Sequence, residues 1–132
     1  MAHTIDIKVR GYHLDVFGHV NNARYLEFLE EGRWSAFEQK LDFQTWALKG
    51  YAFTVVNINI DYRSPAKLND LLCIETSLVK VNRRSGVIHQ AVKLKKTDAL
   101  VAEADVTFVL FDPRQQKTAV LEGEILQLLQ SV

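Results

Sequence analysis

The fold is decided by residues 13–37, which read HLDVFGHVNNARYLEFLEEGRWSAF and combine a polar loop with the start of a long helix. From Asn22 onward, apolar residues recur at helical spacing while acidic residues fill the opposite side, the pattern of an amphipathic helix. Asn21 or Asn22 can cap the free amides of the first turn. A glycine inside a helix costs about 1 kcal/mol against alanine, so Gly32 indicates close packing of this helix on a sheet.

Strand patterns flank this helix on both sides. Ile5, Ile7 and Val9 alternate with polar residues, which predicts a short first strand. Four further strands and a closing helix are predicted at 56–62, 71–81, 87–94, 100–111 and 122–129. This order of elements favours an α+β fold in which antiparallel strands curve around one long helix.

The composition limits the classes of protein to which the chain can belong. Residues 1–132 have the length of one domain, with 48% apolar and 24% charged residues, as in ordinary globular proteins. The 16 basic and 16 acidic side chains cancel, so no broad attraction to nucleic acid or to an anionic membrane is expected. The single cysteine, Cys73, excludes an intramolecular disulfide and favours a reducing compartment. With no signal peptide and no apolar run of membrane-spanning length, we expect a soluble, cytoplasmic protein.

The polar loop before the helix, residues 13–22, holds the densest cluster of potentially reactive groups. A carboxylate such as Asp15 just before a helix N-terminus provides a base or nucleophile beside amide donors for a developing oxyanion. The pattern leaves another interpretation open, in which Asp15 and Asn21 only cap turns and the histidines lie on the surface. His13, Asp15 and His19 match no standard zinc spacing, so no metal is expected. The sequence has no nucleophile elbow, phosphate loop or dinucleotide fingerprint.

Two segments and one turn resemble a known family. Residues 15–31 (DVFGHVNNARYLEFLEE), residues 55–66 (VVNINIDYRSPA) and the turn at 84–86 are similar to the 4-hydroxybenzoyl-CoA thioesterase branch of the hotdog thioesterases, and within it to the bacterial long-chain acyl-CoA thioesterases. The resemblance implies a single hotdog domain, with an antiparallel sheet wrapped around one long central helix. It also implies hydrolysis of fatty acyl-CoA thioesters to free acid and CoA without a cofactor.

The resemblance further implies which residues carry the reaction. In that family the aspartate before the central helix activates water or attacks the thioester carbonyl, and the matching residue is Asp15. The oxyanion donor is a backbone amide of the first helical turn, which falls on Asn22; aromatic-acyl and short-acyl relatives carry Tyr or His there, so the Asn22 side chain has no assigned role. His19 matches the catalytic histidine of plant acyl-carrier-protein thioesterases, whose preceding asparagine is Phe17 here. His19 therefore either polarises the site or only fixes the loop.

A coenzyme A thioester also needs cationic groups for its phosphates. The candidates are Arg83, Arg84 and Ser85 at the tip of the predicted hairpin. Arg63 and Lys67, near the proline that ends the strand at 56–62, are further candidates. The alternative is that these side chains are merely solvated.

Hotdog subunits pair their sheets edge to edge and build each site from two chains, so the resemblance implies a homodimer that assembles to a homotetramer. Asn57 and Asn59 lie on one strand face and cannot be buried unpaired, so we expect them to contact the neighbouring subunit or the substrate.

Two other functions are less well supported by the sequence. A hydratase would need an Asp/His pair in a different loop pattern, and a non-catalytic acyl-CoA or acyl-carrier binding partner has no chemical reason to keep Asp15.

Overall fold

A computed structural model describes residues 2–40, 42–48 and 50–131 of the chain. The strands are β1 (His3–Lys8), β2 (Ala52–Tyr62), β3 (Leu71–Val81), β4 (Gly86–Leu94), β5 (Leu100–Asp112) and β6 (Lys117–Thr118), and the helices are α1 (Asn22–Glu38), α2 (Phe43–Leu48) and α3 (Gly123–Gln130). In this part of the chain, no helix has both the length and the apolar character needed to cross a membrane.

The strands form one antiparallel sheet in the order β1-β3-β4-β5-β2, with β6 paired to β5. β5, whose Val and Phe content predicts a central position, lies between β4 and β2. β2 lies at the edge of the sheet, and α1 contacts β1 and β3. The prediction of an α+β fold with antiparallel strands around one long helix is confirmed.

The apolar face of α1 is buried against the sheet. Phe28, Leu29 and Phe37 of the helix belong to the core. Phe37 contacts Phe53 of β2, with ring centroids 5.4 Å apart, and Phe53 stacks on Phe108 of β5 at 4.4 Å. This aromatic cluster holds the C-terminal half of α1 against the edge strand.

Gly32 lies where α1 approaches the sheet closely. A Cβ atom at this position would lie 2.9 Å from Ile74 Cγ2, 2.9 Å from Thr76 Oγ1 and 3.0 Å from Gln90 Nε2. Real Cβ atoms essentially never make contacts under 3.0 Å. The close packing that the sequence predicts at Gly32 is therefore confirmed.

Gln90 of β4 joins the sheet to the helix beside Gly32. Its side chain is fully buried, and Nε2 donates to the backbone oxygen of Leu29 at 2.8 Å and to Thr76 Oγ1 at 2.9 Å. Its Oε1 accepts a hydrogen bond from Arg33 Nη1 at 3.0 Å. All polar atoms of this buried amide are thus used, which removes the penalty of burying it.

Some short elements differ from the sequence prediction. A 3₁₀ turn at Gly11–His13, together with α2 and β6, was not predicted, because each spans too few residues to show a period. β2 begins at Ala52 rather than at residue 56. A bulge between Val55 and Asn57 leaves Val56 and Asn57 both exposed, which interrupts the alternation on which the prediction rested.

We expect Gly32→Ala to lower the free energy of unfolding by about 1–3 kcal/mol, because the added methyl group forces the helix away from the sheet. Gly11→Ala is the matched control, since a Cβ at Gly11 would meet nothing within 4 Å. Its effect is expected to stay within about 0.5 kcal/mol. Urea denaturation of both variants at one protein concentration measures the difference, and equal stabilities would contradict the close approach.

Candidate active site

The loop that precedes α1 is closed by its own backbone. Asp15 N donates to His19 O at 2.8 Å, and Gly18 N donates to Asp15 O at 3.1 Å. Leu14 and Val20 form an antiparallel bridge across the base of the loop. Gly18 has φ of 74°, a left-handed conformation that glycine adopts without strain. These features hold the Asp15 backbone beside the N-terminus of the helix.

The two carboxylate oxygens of Asp15 have different roles in this loop. Oδ1 accepts hydrogen bonds from Phe17 N at 2.9 Å and from His19 N at 3.2 Å. In the described part of the chain, Oδ2 accepts none. The turn-capping interpretation of Asp15 therefore accounts for one oxygen only, and the other is available as a base or a nucleophile.

The backbone amide of Asn22, at the N-terminus of α1, is available within the described part of the chain. Asn21 caps the helix, because its Oδ1 accepts from Ala23 N at 3.0 Å and its backbone oxygen accepts from Arg24 N at 2.8 Å. Asn21 N itself donates to His13 O at 2.9 Å. The backbone amide of Asn22 has no acceptor among residues 2–40, 42–48 and 50–131. An unpaired amide at the positive end of a helix is suited to bind an oxyanion.

Asp15 and the first turn of α1 open into one cleft of about 280 Å³. Its lining brings together the three residues that the sequence assigns to catalysis and adds Arg63. The lining residues are Asp15, His19, Val20, Asn22, Tyr25, Tyr62, Arg63, Ser64 and Pro65.

The two tyrosines of the cleft were not predicted as site residues. Their rings lie 5.6 Å apart. Burial raises the pKa of Tyr25, a hydrogen bond with the Ala66 backbone opposes the rise, and the negative charges of Asp70 and Asp15 add to it. Tyr25 has helical spacing, which predicts a core residue. Tyr62 lies three residues before the strand-ending Pro65, and only this position in the sequence could have indicated a site.

His19 lines the cleft and is half-buried. Its backbone pairs with Lys67 of the neighbouring loop, and its amide holds Asp15. The imidazole makes no hydrogen bond within the described part of the chain. Both possible roles of His19, in polarising the site and in fixing the loop, stay predictions.

His13 is buried, so the interpretation that places it on the surface is wrong. Its Nδ1 accepts a hydrogen bond from Arg10 N at 2.9 Å, and its ring packs edge-on against Phe28, with centroids 4.9 Å apart. Burial lowers the pKa of His13, and the positive charge of Arg24 lowers it further. His13 therefore serves as a neutral hydrogen-bond acceptor for Arg10 N, and its backbone oxygen holds Asn21 N at the end of the loop.

Arg63 is the cation that the structure places in the cleft. Its Nη2 lies 2.9 Å from Glu103 Oε1 and 3.5 Å from Asp61 Oδ2, with about half of the side chain exposed. Two carboxylates therefore share its charge. Its role in binding a phosphate stays a prediction.

The predicted phosphate-binding turn lies away from the cleft of the same chain. Gly86, which follows the turn, pairs with Phe108, whereas Tyr62 in the cleft pairs with Ala102. Six residues of β5 separate these points, a distance of about 20 Å along the strand. One chain alone cannot bring this turn to Asp15.

The side chains of this turn are engaged to different degrees. Arg84 Nη1 donates to Thr118 O at 2.6 Å, which fixes it to β6. Ser85 Oγ accepts from Asn82 Nδ2 at 3.2 Å. Within the described residues, the guanidinium of Arg83 has no hydrogen bond or ion pair. Both arginines keep their charge, but of the two only Arg83 has a guanidinium without such a partner within the described residues.

Asn57 and Asn59 are exposed on β2, opposite Thr107 and Asp105 of β5. They do not line the cleft. Contact with a second subunit therefore stays a prediction for both.

A second pocket, of about 350 Å³, lies at the other end of β2, between this strand and the C-terminal half of α1. Aromatic and aliphatic side chains dominate its wall, which also contains one acidic and one basic residue. The lining residues are Glu30, Arg33, Trp34, Phe37, Tyr51, Ala52, Phe53 and Val55.

Known proteins resemble this chain in sequence and in fold. The sequence profile of the thioesterase-like superfamily matches residues 9–129. The chain is 52% identical over 126 residues to the long-chain acyl-CoA thioesterase FadM of Escherichia coli strain K12, covering 96% of each. It is 30% identical over 113 residues to the acyl-CoA thioester hydrolase YbgC of Escherichia coli O6:H1, covering 85% of this chain and 84% of that protein. The crystal structure of the probable thioesterase YbaW from Escherichia coli superposes with a TM-score of 0.90 at 51% identity, covering 96% of both chains.

The buried His13 predicts a specific dependence of stability on pH. In the unfolded chain this histidine binds a proton near its ordinary pKa of about 6.5, whereas in the folded chain burial keeps it neutral to lower pH. The unfolded state then holds more protons, so the free energy of unfolding falls as the pH drops from 7 through this range. His13→Asn, which keeps an acceptor for Arg10 N but does not titrate, is expected to lose less stability. Urea denaturation at pH 7 and pH 5 measures the difference, and parallel losses would exclude this role.

Proposed function

Because the chain belongs to the thioesterase-like superfamily and is a thioester hydrolase, we propose that it hydrolyses long-chain fatty acyl-CoA to the free fatty acid and CoA. The hotdog fold that the sequence implies is confirmed by the superposition on YbaW. The main support for the proposal is that Asp15 and Asn22 line the same cleft. Within the described residues, Asp15 Oδ2 and the Asn22 amide each lack a hydrogen-bond partner.

In the proposed reaction, the thioester carbonyl oxygen accepts a hydrogen bond from Asn22 N, which stabilises the negative charge that develops there. Asp15 Oδ2 either removes a proton from the attacking water or attacks the carbonyl carbon itself. In the first route the new C–O bond comes from water; in the second, water then hydrolyses the acyl-aspartate anhydride. In both, the C–S bond breaks, and the sulfur of CoA leaves with the electron pair and is protonated.

The chemistry of the leaving group explains why so few side chains suffice. A thiol has a pKa of about 8.5, so its thiolate leaves without the strong general acid that an amine would require. His19, which lines the cleft, either polarises the site or fixes the loop. The essential tasks are the attack on the carbonyl carbon, by activated water or by the carboxylate, and the stabilisation of the oxyanion; they fall to Asp15 and Asn22.

We place the acyl chain in a site shared by two copies of the protein. β2 is an edge strand, so the backbone groups along its outer side have no strand partner in the described part of the chain. Antiparallel pairing of two β2 strands about a twofold axis satisfies these groups and brings Tyr62 of one copy near Phe53 of the other. The cleft of one copy then adjoins the second pocket of its partner, and a long acyl chain passes from the first into the second.

The same pairing suggests where CoA binds. A second copy presents its β3–β4 turn at the end of the joined sheet that carries the first copy's Asp15. Arg83 of that turn is available for a phosphate, whereas Arg84 is held by Thr118 and Arg63 is shared by two carboxylates. We therefore assign the main phosphate contact to Arg83, with Ser85 beside it.

Asp15→Asn is expected to lower kcat by about 10²- to 10⁴-fold, because the amide still accepts hydrogen bonds from Phe17 N and His19 N but is neither a base nor a nucleophile. The KM for palmitoyl-CoA is expected to change little, since the loop stays folded. Thiol release over a series of acyl-CoA chain lengths measures both parameters.

The matched control is Asp98→Asn, an exposed carboxylate in a left-handed turn conformation that asparagine also adopts. It should hydrolyse like the wild type. Wild-type protein that binds acyl-CoA but releases no thiol would replace hydrolysis with the function of a binding partner.

Val55→Phe is expected to reduce hydrolysis of palmitoyl-CoA by about tenfold relative to hexanoyl-CoA, because the added ring fills the second pocket. Thr54→Phe adds the same ring at the neighbouring exposed position, which does not line the pocket, and should keep the wild-type profile. The ratio of the two kcat/KM values is the measurement. A profile unchanged by Val55→Phe would place the acyl chain elsewhere.

A further inference from the structure

Tyr62, the last residue of β2, makes a direct hydrogen bond to the first turn of α1. Its hydroxyl donates to the backbone oxygen of Asn22 at 3.2 Å. Tyr62 is 42% exposed and lines the cleft beside Asp15. The hydroxyl thus reaches the residue whose amide is proposed to bind the oxyanion, and it does so from the edge strand rather than from the helix.

The first turn of α1 has a particular need for such a contact. The amides at a helix N-terminus lack the partners that hold interior residues, and helix ends fray. The Asn21 side chain holds Ala23 N, and the Asn21 backbone holds Arg24 N and is itself held by His13 O. None of these contacts is made by Asn22. Beyond its place in the helix, the main chain of Asn22 is held by the hydrogen bond from Tyr62.

The Tyr62 ring is held in place by Tyr25. The two rings lie 5.6 Å apart at an interplanar angle of 55°. Tyr25 is buried in the core and also packs against Phe28, with ring centroids 6.1 Å apart. A rigid aromatic support fixes the direction in which the Tyr62 hydroxyl points.

From this geometry we propose that Tyr62 is a positioning residue, which holds Asn22 so that its amide meets the oxyanion in the transition state. The inference rests on the proposed hydrolase function and on Asn22 as the donor. An oxyanion donor acts only within about 2.7–3.1 Å of the developing charge, so a small displacement of Asn22 affects the transition state more than the bound substrate. The loss of the hydroxyl therefore lowers kcat and leaves KM nearly unchanged.

The test is Tyr62→Phe, which removes the hydroxyl and keeps the ring against Tyr25. We expect kcat for palmitoyl-CoA to fall by about three- to tenfold, the weight of one neutral hydrogen bond, with KM within about twofold of the wild type. The pH dependence of kcat is expected to keep its shape, because Asp15 is untouched. The backbone order parameter of Asn22, measured by ¹⁵N relaxation, should fall, because its main chain loses the hydrogen bond from Tyr62.

Tyr12→Phe is the control, because Tyr12 is 72% exposed and lies outside the cleft. It should match the wild type in kcat and in the order parameter of Asn22. Wild-type kcat in Tyr62→Phe overturns the inference, provided that the wild type hydrolyses the thioester and Asp15→Asn does not. A fall in kcat that is accompanied by a rise in KM and by a lower melting temperature also overturns the inference, since this combination indicates a structural role only. An inactive wild type would instead refute the proposed function, so the two failures are distinguishable.

Discussion

The close approach of α1 to the sheet at Gly32 is the constraint on which the rest of the structure depends. A Cβ at this position would lie 2.9 Å from side chains of β3, so the helix can lie at this depth only with glycine there. At that depth the Gln90 amide reaches the backbone oxygen of Leu29 and is fully satisfied while buried. The glycine and the glutamine therefore act together: one allows the contact, and the other makes it favourable.

The depth of α1 also determines what its N-terminus can contact. With the helix held against β3 and β4 at its middle, its first turn lies beside the end of β2, where Tyr62 reaches the backbone of Asn22. The loop that carries Asp15 joins the same turn through the bond between Asn21 N and His13 O. The groups proposed for catalysis thus share a rigid support of helix and strand, although Asp15 itself lies in a loop.

The sequence predicts the elements that extend over several periods of their pattern. It misses the residues whose roles depend on tertiary contacts. The apolar repeat of α1 and the alternation in β3, β4 and β5 locate these elements, because each extends over several periods. Asp15 and Asn22 were assigned by resemblance, since aspartate and asparagine are ordinary loop residues on pattern alone. Tyr62 could not be assigned, because its role depends on a contact across 40 residues of sequence. Gln90 reads as a polar residue within a strand, and nothing local indicates that a helix carbonyl satisfies it.

A physical tension in the loop explains why Asp15 suits its proposed role. A carboxylate in a turn usually accepts hydrogen bonds from backbone amides. If both of its oxygens did so, neither would be left to act as a base or a nucleophile. Here Phe17 N and His19 N both bind Oδ1, which fixes the carboxylate while sparing Oδ2. The helix shows the same division, because the Asn21 cap binds the amides that follow Asn22 but not that of Asn22 itself. In the loop, one carboxylate oxygen of Asp15 is held and the other is left for the substrate. In the helix, the amides of Ala23 and Arg24 are held and the amide of Asn22 is left for the substrate.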